Sequence, residues 1–299
     1  MTIRMAFLTA ASLAALAPSA LAAQNITKRA TVVANALVDV ENVQGRVDVT
    51  AWDRNEVELV AVLESDKDQL EYEATDQQVR IKVSRPDRKY RYDEDEDAIL
   101  TLRVPKGARL AVDTVSADIR IAGVRGEQRI GTVSGTLDTQ AYDEAVDVRA
   151  VSGDITVTGT GGKAAVRSES VSGSTAVSGI RGSYEGKVVS GEIRATVAAA
   201  SRLRLGAVSG DIEMTADLTA DARVDMESIS GEIGLIVKPP VNAEFEIESF
   251  SGDIESCFGG KARATSKYGP GSELRMTQGN GGARVRLQTL SGEISVCDR

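Results

Sequence analysis

The sequence predicts an all-β fold, a parallel β-solenoid (β-helix) built from repeats of about 20 residues. Three observations predict it: a phrase, VSGDI and its variants, that returns through the chain; a nearly constant spacing between its copies; and apolar residues that alternate with polar ones around each copy. Alternation with a period of two is typical of strands with one buried face. Each repeat thus predicts two short strands joined at a corner, a unit that we call a rung.

The spacing of the phrase sets the stacking of the rungs. With the serine of each phrase as position zero, the copies fall at Ser116, Ser134, Ser152, Ser172, Ser190, Ser209, Ser230, Ser251 and Ser291. The last interval, from Ser251 to Ser291, is about twice as long as the others, and a degraded copy of the phrase, GSEL, lies at its midpoint at 271–274. Parallel rungs lie about 4.8 Å apart. The alternative, an antiparallel sandwich or propeller, needs hairpin turns, and the typical Asn-Gly turn occurs only at Asn280-Gly281.

The Ser-Gly pairs are assigned to the corners. Glycine tolerates a positive φ or a close backbone approach, and serine can hydrogen-bond a neighbouring backbone group. The apolar residue at position −1, Val151 for example, is expected to turn inward at a bend that breaks the alternation. The predicted structural corner residues are Ser134, Gly135, Ser152, Gly153, Ser190, Gly191, Ser209, Gly210, Ser230, Gly231, Ser251, Gly252, Ser291 and Gly292.

The chain divides into four predicted regions. Residues 1–22 are typical of a signal peptide: Arg4 precedes an apolar run at 5–17, Pro18 ends it, and small residues precede the cleavage point. Residues 23–115 are irregular first rungs or a separate N-terminal β region, with 85–98 as a solvated charged loop. Residues 116–257 are regular rungs, and 258–299 are a hairpin-like closing element and the last rung. We expect an exported protein in the periplasm, cell envelope or extracellular space, without a transmembrane segment in the mature chain.

Composition removes several classes of function. The net charge is −9, which argues against nucleic acid as a partner. Histidine is absent, which removes Ser-His-Asp and Cys-His catalysis and histidine-liganded zinc. The Gly-rich GTGGK at 159–163 lacks the spacing of a phosphate-binding loop and is expected to be a turn. We expect no enzyme activity, no catalytic residue, no cofactor and no metal site.

Acidic residues recur at position +2 and would form a column along the stack. Members of this column are Asp118, Thr136, Asp154, Ser174, Glu192, Asp211, Glu232, Asp253, Glu273 and Glu293. Calcium binding or paired carboxylates for glycoside cleavage are the functional alternatives. Because the residue recurs in nearly every repeat, we favour a solvated structural position.

Cys257 and Cys297 both stand at position +6 of their repeats. With a regular rung between them they would lie about 9.6 Å apart, too far for a disulfide. If 258–290 is an excursion, they lie on adjacent rungs and can pair, which is the alternative that we favour. Trp52, the only tryptophan, is expected to be a buried or half-buried ring, and a sugar-stacking role is its alternative.

Four stretches carry a resemblance to a known family: VQGRVDVTAWDRNEVEL, LRVPKGARLAVDTVSADIRI, the VSGDI copies and GGARVRLQTLSGEI. Over about 38–297 they resemble a bacterial family of exported β-strand-repeat proteins, a domain of unknown function usually labelled "putative adhesin". The resemblance implies the fold and an interaction at the cell surface or envelope, and it supplies no catalytic residues. The acidic run at 93–97 and the two cysteines depart from that pattern.

The sequence therefore predicts a non-enzymatic, exported structural or adhesion-type protein that acts through the surfaces of its rungs. Its partner would be a glycan or an envelope or surface protein. One alternative is a carbohydrate-active enzyme or glycan-binding protein on a β-helix scaffold. Another is an envelope-stress accessory protein that binds another protein.

Overall fold

A computed structural model describes residues 23–84, 97–265 and 270–298. Every regular element in these ranges is a strand, which confirms the all-β prediction. The strands are β1 (Gln24–Thr31), β2 (Leu37–Trp52), β3 (Glu56–Leu63), β4 (Gln69–Ala74), β5 (Gln78–Ser84), β6 (Ala98–Pro105), β7 (Arg109–Ala122), β8 (Gln128–Ser134), β9 (Leu137–Ala141), β10 (Val146–Ser152), β11 (Ile155–Gly159), β12 (Val166–Ser172), β13 (Thr175–Ser230), β14 (Ile233–Val237), β15 (Ala243–Ser251), β16 (Ile254–Ser256), β17 (Arg263–Ala264), β18 (Ser272–Gln278), β19 (Ala283–Ser291) and β20 (Ile294–Cys297).

Rungs in the middle of the molecule pair in parallel, with their corners in register. Ser134 aligns with Ser116 on one side and Ser152 on the other, and Ser152 aligns in turn with Ser172. Strands after the corner stack in the same way, since β11 pairs in parallel with both β9 and β13. The pre-corner and post-corner strands thus form two faces, and alternate side chains from both faces fill the core between them.

The long strand β13 passes through several rungs before it ends. Its segment 184–190 pairs in parallel with β12, 212–216 pairs with β14, and 223–230 pairs with β19. The corner glycines follow the same order, because a Cβ on Gly210 would overlap the carbonyl oxygen of Gly191, and one on Gly231 would overlap that of Gly210.

Eleven rungs can be traced in the described residues. In spatial order they are rung 1 (78–84 and 98–105), rung 2 (37–43 and 45–52), rung 3 (109–116 and 117–122), rung 4 (128–134 and 137–141), rung 5 (146–152 and 155–159), rung 6 (166–172 and 175–178), rung 7 (184–190 and 193–197), rung 8 (203–209 and 212–216), rung 9 (222–230 and 233–237), rung 10 (283–291 and 294–297) and rung 11 (243–251 and 254–256).

Spatial order departs from chain order at both ends. Strand β2 lies between β7 on one side and β5 and β6 on the other, so the outermost rung follows rung 2 in the chain. Likewise Ser291 aligns with both Ser230 and Ser251, which places the last rung of the chain inside the stack. A regular 20-residue spacing predicts that rungs stack in the order of the chain. It contains no signal that rungs 1 and 2, or rungs 10 and 11, exchange their places in the stack.

The sheet is mixed, because antiparallel strands are added at both ends. Strands β3 and β1 extend the sheet beyond β6, and β4 pairs with β5. At the other end β18 pairs antiparallel with β15, and β17 pairs with β18. The degraded copy at 271–274 is therefore not a rung, and Glu273 does not join the acidic column. Strands β18 and β19 do not form the predicted hairpin, since they lie on opposite edges of β15.

Candidate functional site: an exposed apolar column

The apolar residue at position −1 faces solvent in rungs 3–11, which corrects the prediction that it turns inward. Its side chain is 42–55% exposed in every one of these rungs. The alternation is unbroken up to the corner: positions −6, −4 and −2 are buried, so the odd positions −5, −3 and −1 point outward. In spatial order this apolar column consists of Val115, Val133, Val151, Val171, Val189, Val208, Ile229, Leu290 and Phe250.

The apolar column lies along a groove of about 1210 Å³ on the pre-corner face. Small residues at position −2, such as Ala150 and Ser170, form its floor, and residues at position −3 form one wall. Thr265 and Ser272, beside β18, line it at the rung 11 end. Exposed apolar surface that continues across nine rungs is typical of an interaction surface, because isolated exposed valines are common but a stacked series is not.

Charged side chains form two further columns beside the apolar column. At position −5 the outer column alternates in sign: Arg129, Asp147, Arg167, Glu185, Arg204, Asp225 and Arg286 in rungs 4–10. At position −3 the middle column contains Asp113, Gly131, Arg149, Glu169, Lys187, Gly206, Glu227 and Gln288 in rungs 3–10. Opposite charges on adjacent rungs attract, so the alternation stabilises the stacking.

Ion pairs join the two charged columns in rungs 5–7. Arg149 lies 2.9 Å from Asp147 and 3.4 Å from Glu169, and Arg167 lies 3.6 Å from Glu185. A hydrogen bond from Arg167 holds the pKa of the Glu169 carboxyl below its usual range, with the charges of Arg167 and Arg149 adding to the effect. The Glu169 carboxylate is therefore ionised at neutral pH and acts as a fixed charge.

The predicted corner residues stack in register along one edge of the molecule. Serine aligns with serine from rung to rung, and from rung 5 onward each corner glycine approaches the carbonyl oxygen of the glycine before it in the stack, while Gly135 of rung 4 approaches that of Ala117. A Cβ on Gly153 would overlap the carbonyl oxygen of Gly135. Close approach between rungs explains why these corners carry glycine.

The acidic column at position +2 makes contacts between rungs. Asp118 accepts a hydrogen bond of 2.8 Å from the backbone N–H of Thr136, and Asp154 and Asp211 accept equivalent bonds from Ser174 and Glu232. The backbone hydrogen bond from Thr136 lowers the pKa of Asp118. Within the ranges that the structure describes, no group of three or more metal-ligating side chains is present.

The structure brings Cys257 and Cys297 together on adjacent rungs. They are joined in a disulfide with 4.9 Å between their Cα atoms. The two cysteines can pair because residues 258–282 do not form a rung. Rung 10, which follows these residues in the chain, therefore stacks directly against rung 11.

The remaining predicted residues lie apart from the groove. Trp52 is half-buried, donates a 2.7 Å hydrogen bond to the carbonyl oxygen of Glu56, and has the guanidinium groups of Arg54 and Arg103 within 6 Å of its ring. GTGGK at 159–163 is the turn between β11 and β12. The charged loop predicted at 85–98 falls mostly outside the described residues, as does the signal peptide.

Sequence reasoning missed the apolar column, although its signal was present. Position −1 has the same parity as the charged positions −3 and −5, and opposite parity to the buried positions −2, −4 and −6. A count of parity through the corner would have placed Val151 outside.

Several comparisons bear on the identity of the chain. Solved structures that are similar include a "putative adhesin" from Bacteroides fragilis NCTC 9343, with 17% identity, 72% of this chain and 96% of that chain covered, and a TM-score of 0.48. Another is a "putative adhesin" from Parabacteroides distasonis ATCC 8503, with 10% identity, 92% and 97% coverage, and a TM-score of 0.36. No curated protein matches the chain.

In the part of the chain with described coordinates, no helix has the length and apolar character needed to cross a membrane. A family model, Toastrack DUF4097, matches residues 37–297, which span rungs 1–11 and the strands added at the C-terminal end. The chain belongs to the Toastrack DUF4097 family.

Proposed function

We propose that this protein is a non-enzymatic, exported, adhesion-type protein that binds a protein partner through the apolar column. The observation that carries the proposal is the stack of nine exposed apolar side chains, eight of which line the 1210 Å³ groove. A partner that covers them would remove their apolar surface from water, which favours association. The charged columns beside them would fix the register and select the partner.

We further propose that the architecture is a parallel β-solenoid with an antiparallel cap at each end. The parallel register of the corners supports this interpretation, and β1, β3, β4, β17 and β18 would be the caps. Caps cover strand edges that would otherwise pair with other chains. A capped stack leaves its long outer face as the surface available for binding.

Export rests on the sequence of residues 1–22. The predicted cleavage after Ala22 would leave a single residue, Ala23, before β1. Expression of the full chain with fractionation of the cells, followed by mass determination of the processed protein, tests this proposal. A mature protein that retains residues 1–22 in the cytoplasm would contradict it.

The function is tested by binding of the purified protein to envelope and host-matrix proteins and to envelope polysaccharides. We expect binding to a protein that is lost in Val151→Glu and retained in Thr158→Glu, which places the same charge on the exposed post-corner face of the same rung. Binding to polysaccharide alone would favour the glycan-binding alternative. Release of reducing sugar from any glycan would overturn the non-enzymatic proposal.

A further inference from the structure

We propose that the partner of the apolar column is a second copy of this chain, docked face to face with its rungs in the opposite order. The two-fold axis would lie between rungs 6 and 7, so that rung 3 meets rung 10, rung 4 meets rung 9, rung 5 meets rung 8, and rung 6 meets rung 7. This inference rests on the proposed function of the column and names its occupant. Size, charge and shape each support the same arrangement.

The apolar column is graded in size along the stack. Rungs 3–8 carry valine, whereas rungs 9, 10 and 11 carry the larger Ile229, Leu290 and Phe250. Two copies in the same order would place large residues against large ones at one end and leave a gap at the other. Opposite order pairs Val115 with Leu290 and Val133 with Ile229, which keeps the separation of the faces even.

The outer column is complementary to itself in this arrangement. Rungs 4 and 9 bring Arg129 opposite Asp225, rungs 5 and 8 bring Asp147 opposite Arg204, and rungs 6 and 7 bring Arg167 opposite Glu185. These are all the crossings between charged residues in the outer column of rungs 3–10, and all join opposite signs. A shift of the axis onto rung 7 would instead bring Asp147 opposite Asp225 and Arg167 opposite Arg204, so charge excludes an axis that lies on a rung. An axis between rungs 7 and 8 would pair the outer column equally well, but it would bring Glu169 opposite Glu227 in the middle column.

The middle column combines charge with shape. Glu169 of rung 6 meets Lys187 of rung 7 with opposite charge. One of its two glycines provides open space: Gly206 lies opposite Arg149, whereas the space above Gly131 holds the Asp113 carboxylate. No atom of the described residues lies within 4 Å of a Cβ built on Gly206, so the space above this glycine can accept the Arg149 side chain of the other copy.

Three outer-column charges have no ion-pair partner within the described residues: Arg204, Asp225 and Arg286. One carboxylate oxygen of Asp225 is buried and accepts no hydrogen bond there. The docked copy would supply Asp147 to Arg204 and Arg129 to Asp225. Outside rungs 3–10 two carboxylates are neutralised within the chain, since Arg275 lies 2.9 Å from Glu246 of rung 11 and Arg80 lies 2.9 Å from Glu41 of rung 2.

The expected interface is small. Eight rungs cover about 38 Å at about 4.8 Å each, and three columns cover about 14 Å, which gives roughly 500 Å² per copy. The total of about 1,000 Å² is at the lower limit for a specific protein interface. The dimer should therefore be reversible, and its fraction should rise with protein concentration.

Sedimentation equilibrium of the purified protein, from about 5 to 500 µM, tests the inference across the range of weak association. We expect a monomer–dimer equilibrium that Val171→Glu weakens at least tenfold, because it places a carboxylate in an apolar contact. Ala176→Glu is the matched control, since it adds the same charge on the exposed post-corner face of rung 6. A protein that stays monomeric throughout this range would overturn the inference.

Charge exchange tests the register. Arg129→Asp and Asp225→Arg should each weaken the dimer about tenfold, because each places like charges opposite one another twice per dimer. The double variant restores opposite charges and should return to within about threefold of the original affinity. Additive loss in the double variant would overturn the proposed register. Thermal unfolding of each variant checks that the fold is retained.

The same variants separate this inference from the proposed function. A monomeric protein that binds a different protein, and loses that binding in Val171→Glu, would overturn self-docking and leave the proposed function standing. If Val171→Glu changes neither self-association nor the binding of any protein, both proposals fail.

Discussion

At the scale of single residues, the neighbouring rung explains why glycine occupies the corners. Gly153 and Gly210 do not adopt a left-handed φ, yet a Cβ on either would overlap the carbonyl oxygen of another corner glycine. We expect Gly153→Ala to lower the free energy of unfolding by about 1–3 kcal/mol, because rungs 4 and 5 must move apart. Denaturant unfolding measures this change. Gly206→Ala is the control, with open space around its Cβ, and it should be neutral or slightly stabilising.

Asp118 provides a prediction that depends on pH. Its folded-state pKa is lowered by the Thr136 N–H, so its contribution to stability is present above the unfolded pKa of about 3.9 and is lost as pH falls through the lowered folded pKa. Asp118→Ala should cost about 1 kcal/mol at pH 7, and the difference from the original protein should narrow below about pH 4. Unfolding at several pH values measures it.

The control for this residue is Asp253→Ala. The Asp253 side chain makes no hydrogen bond or ion pair within the described residues, so its removal should change stability little at any pH. An equal loss in both variants would show that the column acts through its total charge and not through the backbone contact of Asp118.

How far the sequence predicts single residues depends on whether a position repeats. Buried Val148 and Ile155 and the corner Gly153 follow from period and parity alone, because every rung imposes the same environment on them. Val151 was misplaced because an apolar residue was expected inside. Folded proteins nevertheless expose much apolar surface, and only the pleat decides which side a residue faces.

At the scale of elements, the disulfide fastens rung 11 to rung 10. Strand β16 has three residues and, within the described residues, pairs in parallel only with β20, so few contacts besides the Cys257–Cys297 bond hold it in place. Replacing both cysteines by serine should lower the free energy of unfolding by about 3–4 kcal/mol, because a loop of 40 residues is no longer closed. Denaturant unfolding measures the loss, and reduction of the original protein should reproduce it. Two reactive thiols in the unreduced, denatured protein would contradict the pairing.

The elements at the ends could not be predicted from the repeat. Strands β15 and β19 carry equally good copies of the phrase, and nothing in either copy states which one lies nearer the middle. Their order depends on β18, which pairs antiparallel with the outer edge of β15 and leaves its inner edge for β19. Such pairing joins residues distant in sequence, so it has no local signature.

At the scale of the whole molecule, the exchanged order makes the C-terminal end depend on its last segment. Rung 10 is the contact through which rung 11 and β18 are joined to the stack, since β19 pairs with β13 on one side and β15 on the other. A chain that ends at Gly282 should therefore lose hydrogen-exchange protection throughout β15–β18, although all those residues remain, because their apolar face has no neighbouring rung. Rungs 4–6 should keep their protection, because each still has both neighbours. A chain that lacks only Asp298 and Arg299 is the control and should exchange like the original. Full protection of β15 in the chain ending at Gly282 would mean that rung 11 can dock directly on rung 9 and that the exchange is not needed for stability.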